Sequence, residues 1–174
     1  MERTGASIPG LDLLTEKARE LQREYRMSTY IVLLRGVMPS GKNKVPMAQL
    51  REVLMRGGFG NVRTYVQSGN VLVDSGLSAH DVGKCVRELI RKHIGPDLAV
   101  LVRTSPEVQK VLEENPFQQG YEISRVFFVV LAQVPALEKV QELSARDFGD
   151  EKLAFTRTRD AAFMYIPGPY GRGR

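Results

Sequence analysis

The order of secondary-structure signals over residues 28–103 constrains the fold more than any other feature of this sequence. Apolar residues recur there with the spacing of strands and helices in turn, and glycine- or proline-rich turns separate the segments. The segments are a strand at 29–34, a helix from Pro46 to a stop at Gly57, strands at 62–67 and 71–74, a helix at 79–94 and a strand at 98–102. This order predicts a ferredoxin-like plait, in which both helices cover one face of a four-stranded antiparallel sheet.

The second half of the chain repeats the first part of that order. The segments are a helix opened by Ser105 and ending near Asn115, a strand at 125–132, a helix at 135–143, and a hairpin of strands at 152–157 and 161–166. We therefore predict an α+β fold of two ferredoxin-like subdomains with antiparallel sheets, the second one incomplete. The expected bounds are 1–27 for an N-terminal tail and helix, 28–104 for the first subdomain and 105–174 for the second.

Apolar residues near the N-terminus recur at alternating spacings of three and four. They are Leu11, Leu14, Ala18, Leu21 and Tyr25. This spacing predicts an amphipathic helix with one apolar stripe. Such a stripe needs cover, so we expect it to pack on a sheet of this chain or to pair with its copy in a homodimer.

The sequence argues against disulfides, membrane spans and metal sites. The single cysteine, Cys85, has no partner for an internal disulfide, which is typical of a reducing compartment. The longest apolar run, 126–132, is far too short to span a bilayer, and residues 1–26 lack the apolar core of a secretory signal. We expect a cytoplasmic protein without a membrane partner. His80 and His93 are too isolated to hold a metal, and no cofactor motif is complete.

The positive charge is concentrated in one stretch. The chain carries 25 Lys and Arg against 20 Asp and Glu, a net charge of +5. Six basic residues against Glu52 give the same excess within residues 35–65 alone, and they are Arg35, Lys42, Lys44, Arg51, Arg56 and Arg63. Such a stretch favours an anion-facing surface, although solvated charges that keep the protein soluble give the same count.

The loop after the first strand contains a near match to a nucleotide-binding motif. Residues 36–43 fit the phosphate-loop pattern G-x-x-x-x-G-K-[ST] except at the last position, where Asn43 lacks the hydroxyl that would bind magnesium. Pro46 would also fall inside the helix that such a loop begins. These departures argue against nucleotide hydrolysis, but the glycine backbone with Lys42 and Lys44 still predicts an anion-binding loop.

A polar turn between two strands adds further candidates. The amide and hydroxyl groups of residues 67–70 suit a polar ligand, although hairpin turns favour the same residue types for backbone reasons alone. The predicted ligand-binding residues are Arg35, Lys42, Asn43, Lys44, Arg63, Gln67, Ser68 and Asn70. No catalytic or metal-ligating residue is predicted.

Several stretches together resemble one known family. They are YIVLLRG at 30–36, GKNKVPM at 41–47, VRTYVQSGN at 62–70, RT at 103–104, NPF at 115–117, YIP at 165–167 and YGR at 170–172. The sequence resembles the bacterial family known as domain of unknown function 1697. The resemblance implies two ferredoxin-like subdomains in one compact unit, and it implies no established activity, substrate or cofactor.

The sequence departs from the family pattern in its loop and at its ends. Relatives usually have Ile-Asn-Val-Gly-Gly after the Arg-Gly pair, whereas this chain has Val-Met-Pro-Ser-Gly at 37–41. Met27 stands where relatives usually start, and they usually continue beyond the position of Arg174. We therefore expect an N-terminal extension and a shortened C-terminus, with the extension covering the surface that the further segment covers in relatives.

Three functional classes remain open. The first is a binding module that holds a phosphate-bearing small molecule or nucleic acid at the loop of residues 36–45, which we call the basic loop. The second is an enzyme acting on a small anionic substrate, for which residues 35–65 supply only Glu52 as an acid. The third is a structural or assembly protein without a ligand. The binding module accounts best for the concentrated charge.

Overall fold

The protein is described here by a computed structural model that covers residues 27–65 and 69–168. The chain divides into two compact units, one ending at Ser105 and the other beginning at Pro106. The helix predicted over residues 11–25 lies outside the described residues, and so does the dimer contact expected from it. No helix in the described part of the chain is both long enough and apolar enough to cross a membrane.

The first unit contains four strands and two helices. They are β1 (Ser28–Arg35), α1 (Met47–Arg56), β2 (Gly60–Tyr65), β3 (Asn70–Ser75), α2 (Ala79–His93) and β4 (Ala99–Thr104). The strands form one sheet in the order β2-β3-β1-β4, and each neighbouring pair is antiparallel. This order confirms the predicted ferredoxin-like plait.

One face of this sheet packs against both helices. Side chains alternate between the two faces of a strand, so the buried Val32 on β1 lies beside Val71 on β3 and Val102 on β4. The helices add apolar stripes at helical spacing, with Leu50 and Leu54 from α1 among the buried residues. Burial of these side chains is the main stabilising contribution to the unit.

Local signals fix the ends of the helices. The Ser78 hydroxyl accepts a hydrogen bond from the amide of Asp81 at 3.2 Å, which caps the start of α2. Helix α1 ends at Gly57, where a Cβ atom would lie 2.4 Å from Cδ1 of Leu89 on α2. A side chain at position 57 would therefore have to displace the end of the Leu89 side chain.

The opposite face of the first sheet carries different chemistry, and we call it the outer face. Cross-strand pairing aligns four residues in one row and four in the next. The first row is Arg63, Leu72, Ile31 and Arg103, and the second is Tyr65, Asn70, Leu33 and Leu101. Arg35 lies beyond the second row, paired with Ala99. In the first row, apolar residues occupy the middle and arginines the two ends.

A bulge changes the start of β2. Gly60 pairs with Asp74 and Arg63 with Leu72, so two residues of β2 lie opposite Val73. Asn61 in this bulge has a φ of 46°, a backbone conformation that asparagine tolerates better than most residues. The strand therefore begins at residue 60 rather than at the predicted 62, because the bulge extends the pairing.

The second unit has a smaller sheet. Its elements are α3 (Ser105–Glu113), a short 3-10 helix (Ile123–Arg125), β5 (Val126–Val130), α4 (Leu137–Ser144), β6 (Lys152–Phe155) and β7 (Ala161–Tyr165). The strands run antiparallel in the order β5-β7-β6. This is the strand order of a plait without its last strand, as predicted for the incomplete second subdomain.

The core of the second unit is aromatic. Phe163 on β7 is fully buried, and Val111 from α3 and Phe117 belong to the same buried cluster. The rings of Phe117 and Tyr121 lie 5.0 Å apart, and Tyr121 meets Tyr165 edge to face at 4.8 Å. These ring contacts fix the segment between α3 and β5 against the sheet.

Candidate functional site

The loop between β1 and α1 is closed by its own backbone. The amide of Met38 donates to the carbonyl oxygen of Asn43 at 3.0 Å, and the amide of Lys44 donates to that of Gly41 at 3.1 Å. Gly41 has a φ of 78°, a conformation that glycine adopts without strain. The loop is thus a defined turn, and its segment 41–44 folds back toward the end of β1.

The closed loop places the predicted cations around one short turn. Arg35 ends β1, and Lys42 and Lys44 belong to the returning segment; all three are exposed. Asn43 is half-buried, and its Nδ2 atom would lie 3.8 Å from a Cβ atom built on Gly36. Asn43 therefore lies against the residue that follows Arg35. Residues 35–46 contain three cations and no acid.

The start of α1 follows this loop directly. Pro46 occupies the N-cap position without a side-chain hydrogen bond to the helix, and the first turn contains no acidic residue. The first amides of a helix carry partial positive charge and lack partners within the helix. The helix start therefore adds to the positive potential that Lys44 creates next to it in the chain.

The hairpin between β2 and β3 reaches the same edge of the sheet. The carbonyl oxygen of Gly69 accepts a hydrogen bond from the amide of Leu34 at 3.2 Å. A Cβ atom on Gly69 would lie 2.7 Å from Cγ2 of Val37, a residue of the loop. The glycine of the turn and the first part of the basic loop are therefore in direct contact.

Two other predicted residues of this hairpin, Gln67 and Ser68, lie outside the described residues. Asn70, the first residue of β3, is half-buried and pairs with Tyr65 on one side and Leu33 on the other. The register thus places Asn70 on the outer face, close to the basic loop.

Arg63 lies farther from the loop than the sequence suggests. It is exposed on the outer face in the middle of β2. Counting two strand spacings and four residues along the strands puts its Cα about 16 Å from that of Arg35. Arg63 and Arg35 therefore share a face of the sheet, while only Arg35 belongs to the loop.

Two other basic residues of the charged stretch have partners within the first unit. Arg51 on α1 donates from Nη1 to the Thr64 hydroxyl on β2 at 2.6 Å, which ties the helix to the sheet. Arg56 forms an ion pair with Glu52 one turn away, at 3.6 Å. The excess charge of residues 35–65 that remains for a ligand thus comes from Arg35, Lys42, Lys44 and Arg63.

The outer face has one acidic residue in its four strands, Asp74. Its carboxylate accepts hydrogen bonds from the Thr29 hydroxyl at 2.6 Å and from the Asn61 amide. The Thr29 hydrogen bond, followed by that of Asn61 and the charge of Arg63, lowers the pKa of Asp74 below its ordinary value. Asp74 therefore stays charged and holds three strands together at the end of the sheet away from the loop.

Sequence reasoning missed two residues of the outer face, Tyr65 and Arg103. Tyr65 is 74% exposed although it lies within a strand. Arg103 on β4 is half-buried and donates to the carbonyl oxygen of Val102. The alternation of residues along β2 and β4, combined with the plait's strand order, was the signal that places both on the same face as Arg63.

The described residues show no constellation for metal chemistry. Within 27–65 and 69–168, no three His, Cys, Asp or Glu side chains are grouped so as to hold a metal ion. Cys85 is half-buried on α2 and packs against the core of the first unit. The chemistry that these residues offer is therefore that of cationic and amide groups around a loop and on a sheet.

Comparison with known proteins supports the fold and leaves the activity open. Residues 27–159 match the family described as "Protein of unknown function (DUF1697)". The chain is also similar in structure to the conserved bacterial protein SP0830 from Streptococcus pneumoniae, with a TM-score of 0.64 and 25% sequence identity. That similarity covers 80% of this chain and 76% of the other. No curated protein matches the sequence.

Proposed function

This chain belongs to the DUF1697 family, whose function is unknown, and from its own residues we propose that it is a binding module for a phosphate-bearing ligand. The ligand is held at the loop between β1 and α1. The observation that carries the proposal is the closed turn of residues 36–45, around which Arg35, Lys42 and Lys44 are exposed with no acidic residue in the loop.

Phosphate is the anion that this arrangement suits best. Lysine is a mobile point charge, while arginine offers a planar fork of donors, and phosphate oxygens accept from both. The uncapped start of α1 supplies amides that favour a negative group. A ligand with two or more phosphates would reach the loop cations and this helix start together.

The contact between Gly69 and Val37 supports a second set of ligand contacts. It joins the basic loop to the hairpin, whose described residue Asn70 offers both an amide donor and a carbonyl acceptor. The part of the ligand that carries no charge would lie on this side. We include Gln67 and Ser68 in the proposed site because they neighbour Gly69 in the chain.

Binding is a better proposal than catalysis. An enzyme acting on a small anionic substrate needs a general base near the cations. Glu52 is the only acid within residues 35–65, and its carboxylate is paired with Arg56 at 3.6 Å. A purely structural role leaves the grouping of exposed cations around the loop without a purpose.

The test is a titration of the full chain with inorganic pyrophosphate, in which ¹H–¹⁵N NMR spectra are recorded at each pyrophosphate concentration. We expect the amide resonances of residues 36–45 to shift in a saturable way. The double variant Lys42→Gln, Lys44→Gln should weaken binding, by about fivefold for each lysine removed if each contact contributes about 1 kcal/mol.

The matched control is Arg56→Gln, which removes one exposed positive charge that is already paired with Glu52. It should change pyrophosphate affinity much less than Lys42→Gln. If pyrophosphate moves no loop resonance, or if the control and the lysine variants behave alike, the proposal is wrong.

A further inference from the structure

The charged residues of the first sheet all lie on one face. Its four strands contain three arginines and one aspartate, namely Arg35, Arg63, Arg103 and Asp74, and the register places all four on the outer face. Asp74 is at the far end, where Thr29 and Asn61 bond its carboxylate. The part of this face between Arg63 and the basic loop therefore has only positive charge.

The same face carries an apolar strip. Ile31 and Leu33 on β1 lie beside Leu72 on β3 and Leu101 on β4, and all four are half-buried. Arg63 and Arg103 are at opposite ends of one row, about 14 Å apart at three strand spacings. Cations thus border an apolar strip on two sides.

Tyr65 adds an aromatic ring to one end of this strip. This residue is 74% exposed, and it is the neighbour of Asn70 in the second row. An exposed aromatic ring on a sheet presents a surface on which a planar group stacks, and the amide of Asn70 offers hydrogen bonds beside it. Arg35 lies beyond this row, where the basic loop begins.

We propose that the outer face of the first sheet binds single-stranded nucleic acid. One base stacks on Tyr65, its neighbours lie on the apolar strip, and the phosphates contact Arg63, Arg103 and the cations of the loop. This inference rests on the proposed function, because the loop of residues 36–45 provides the phosphate contacts at one end of the strand.

Charge and shape favour a single strand over other anionic ligands. Unstacked bases have apolar faces that match the strip, and their phosphates match the arginines around it. In a duplex the base faces are hidden in the helical stack, so the strip and Tyr65 would gain nothing from it. A mononucleotide would reach the loop or Tyr65 but would leave Arg63 and Arg103 unused.

The experiment measures fluorescence anisotropy of fluorescein-labelled ten-nucleotide oligouridine and oligothymidine on the full chain, with a labelled duplex as the comparison. We expect both single strands to bind and the duplex to bind at least about tenfold more weakly at the same salt concentration. Tyr65→Ala should weaken single-strand binding by about 5- to 100-fold, whereas Tyr65→Phe should retain it.

Arg63→Gln should also weaken binding, and it should reduce the dependence of log affinity on log salt by about 0.7, the value for one lost phosphate contact in a single strand. Arg56→Gln is the matched control, because it removes an exposed charge on α1 outside the outer face. Its salt slope should stay close to that of the unaltered chain.

The results separate this inference from the proposed function. If pyrophosphate shifts the loop resonances but single strands bind no better than the duplex, or Tyr65→Ala binds as well as the unaltered chain, only the nucleic-acid inference fails. If neither pyrophosphate nor oligonucleotide binds, both fail. If oligouridine binds and both Tyr65→Ala and Arg63→Gln weaken it while Arg56→Gln does not, the inference stands.

Discussion

The amide of Leu34 donates a hydrogen bond to the carbonyl oxygen of Gly69 across 3.2 Å. This bond joins the end of the central strand β1 to the glycine of the turn before β3. A side chain at Gly69 would meet both Leu34 and the loop residue Val37. Position 69 therefore links β1, the hairpin and the basic loop.

Gly69→Ala should destabilise the first unit by about 3 kcal/mol. The new Cβ atom would lie 2.7 Å from Val37 and 2.9 Å from Leu34, and the φ of 82° adds backbone strain. Urea unfolding, followed through the amide resonances of β1 and β3, measures the loss. Gly41→Ala is the control, because its φ of 78° is similar but no atom lies within 4 Å of the new Cβ. We expect about 1 kcal/mol there, and equal losses at the two positions would contradict the predicted close contact.

Asp74 should make the stability of the first unit sensitive to acid. The Thr29 hydroxyl and then the Asn61 amide hold the pKa of its carboxyl below 3.8 in the folded state. A carboxyl with a lowered folded pKa stabilises the fold above its unfolded pKa, and this contribution is lost as pH falls through the folded value. The urea midpoint should therefore drop below pH 3.8 in the unaltered chain and change less with pH in Asp74→Asn.

The same variant should lose about 1 kcal/mol at neutral pH, because the charged hydrogen bonds to Thr29 and Asn61 become neutral ones or are lost. Asp150→Asn, an exposed residue of the second unit, is the reference for general effects of removing a carboxylate. An Asp74→Asn chain whose urea midpoint falls with acid as steeply as that of the unaltered chain would speak against this role.

Substitution of Arg51 should lower stability, whereas substitution of Lys42 should weaken binding with little effect on stability. Arg51→Met removes the hydrogen bond to Thr64 that ties α1 to β2, so we expect a loss of about 1 kcal/mol in unfolding free energy. Lys42→Gln changes an exposed loop side chain and should leave stability within about 0.5 kcal/mol while weakening pyrophosphate binding. Thermal unfolding measures the stability of both variants, and the NMR titration with pyrophosphate measures their binding. A stability loss in Lys42→Gln as large as that in Arg51→Met would contradict the prediction.

Thr156 should be the more important of two threonines that donate to Asp160. Its buried hydroxyl donates to Oδ1 of Asp160 at 2.7 Å and accepts from the amide of Ala161 at 3.2 Å. Thr156→Val leaves that buried amide without its side-chain acceptor, so we expect a loss of about 2 kcal/mol in the second unit. Thr158 also donates to Asp160 at 2.7 Å, but it is exposed, and Thr158→Val should cost about 0.5 kcal/mol or less. Urea unfolding of both variants, followed through the amide resonances of β7, measures the two losses in unfolding free energy. A larger loss in Thr158→Val than in Thr156→Val would contradict the prediction.

Much of the fold follows from patterns along the sequence. The alternation in β3 and the helical spacing of Val82, Val86 and Ile90 in α2 identify their elements because burial of one face imposes those periods. The element order then implies the antiparallel sheet, since few topologies accommodate it. The bulge at Asn61 was not predictable, because it lies in the pairing of β2 with β3, and the sequence pattern does not show which residues of two strands pair.

The site was only partly predictable for the same reason. The loop cations Arg35, Lys42 and Lys44 all lie within residues 35–44, so their grouping follows from the chain alone. The distance of Arg63 from the loop depends on strand register, and the hydrogen bond from Arg51 to Thr64 depends on how α1 packs on the sheet. Tyr65 and Arg103 belong to one face only after the sheet order is known, because they are separated by 38 residues along the chain.

The closure of the basic loop by its own backbone bonds has a consequence for how tightly it can hold an anion. A segment that is already folded in the free protein gives up little conformational entropy when its partner arrives, so more of the contact energy remains as affinity. The free and occupied proteins should then share one backbone path through residues 36–45. Binding of an anion at the loop should raise the melting temperature of the first unit, because the anion binds the folded chain and not the unfolded one.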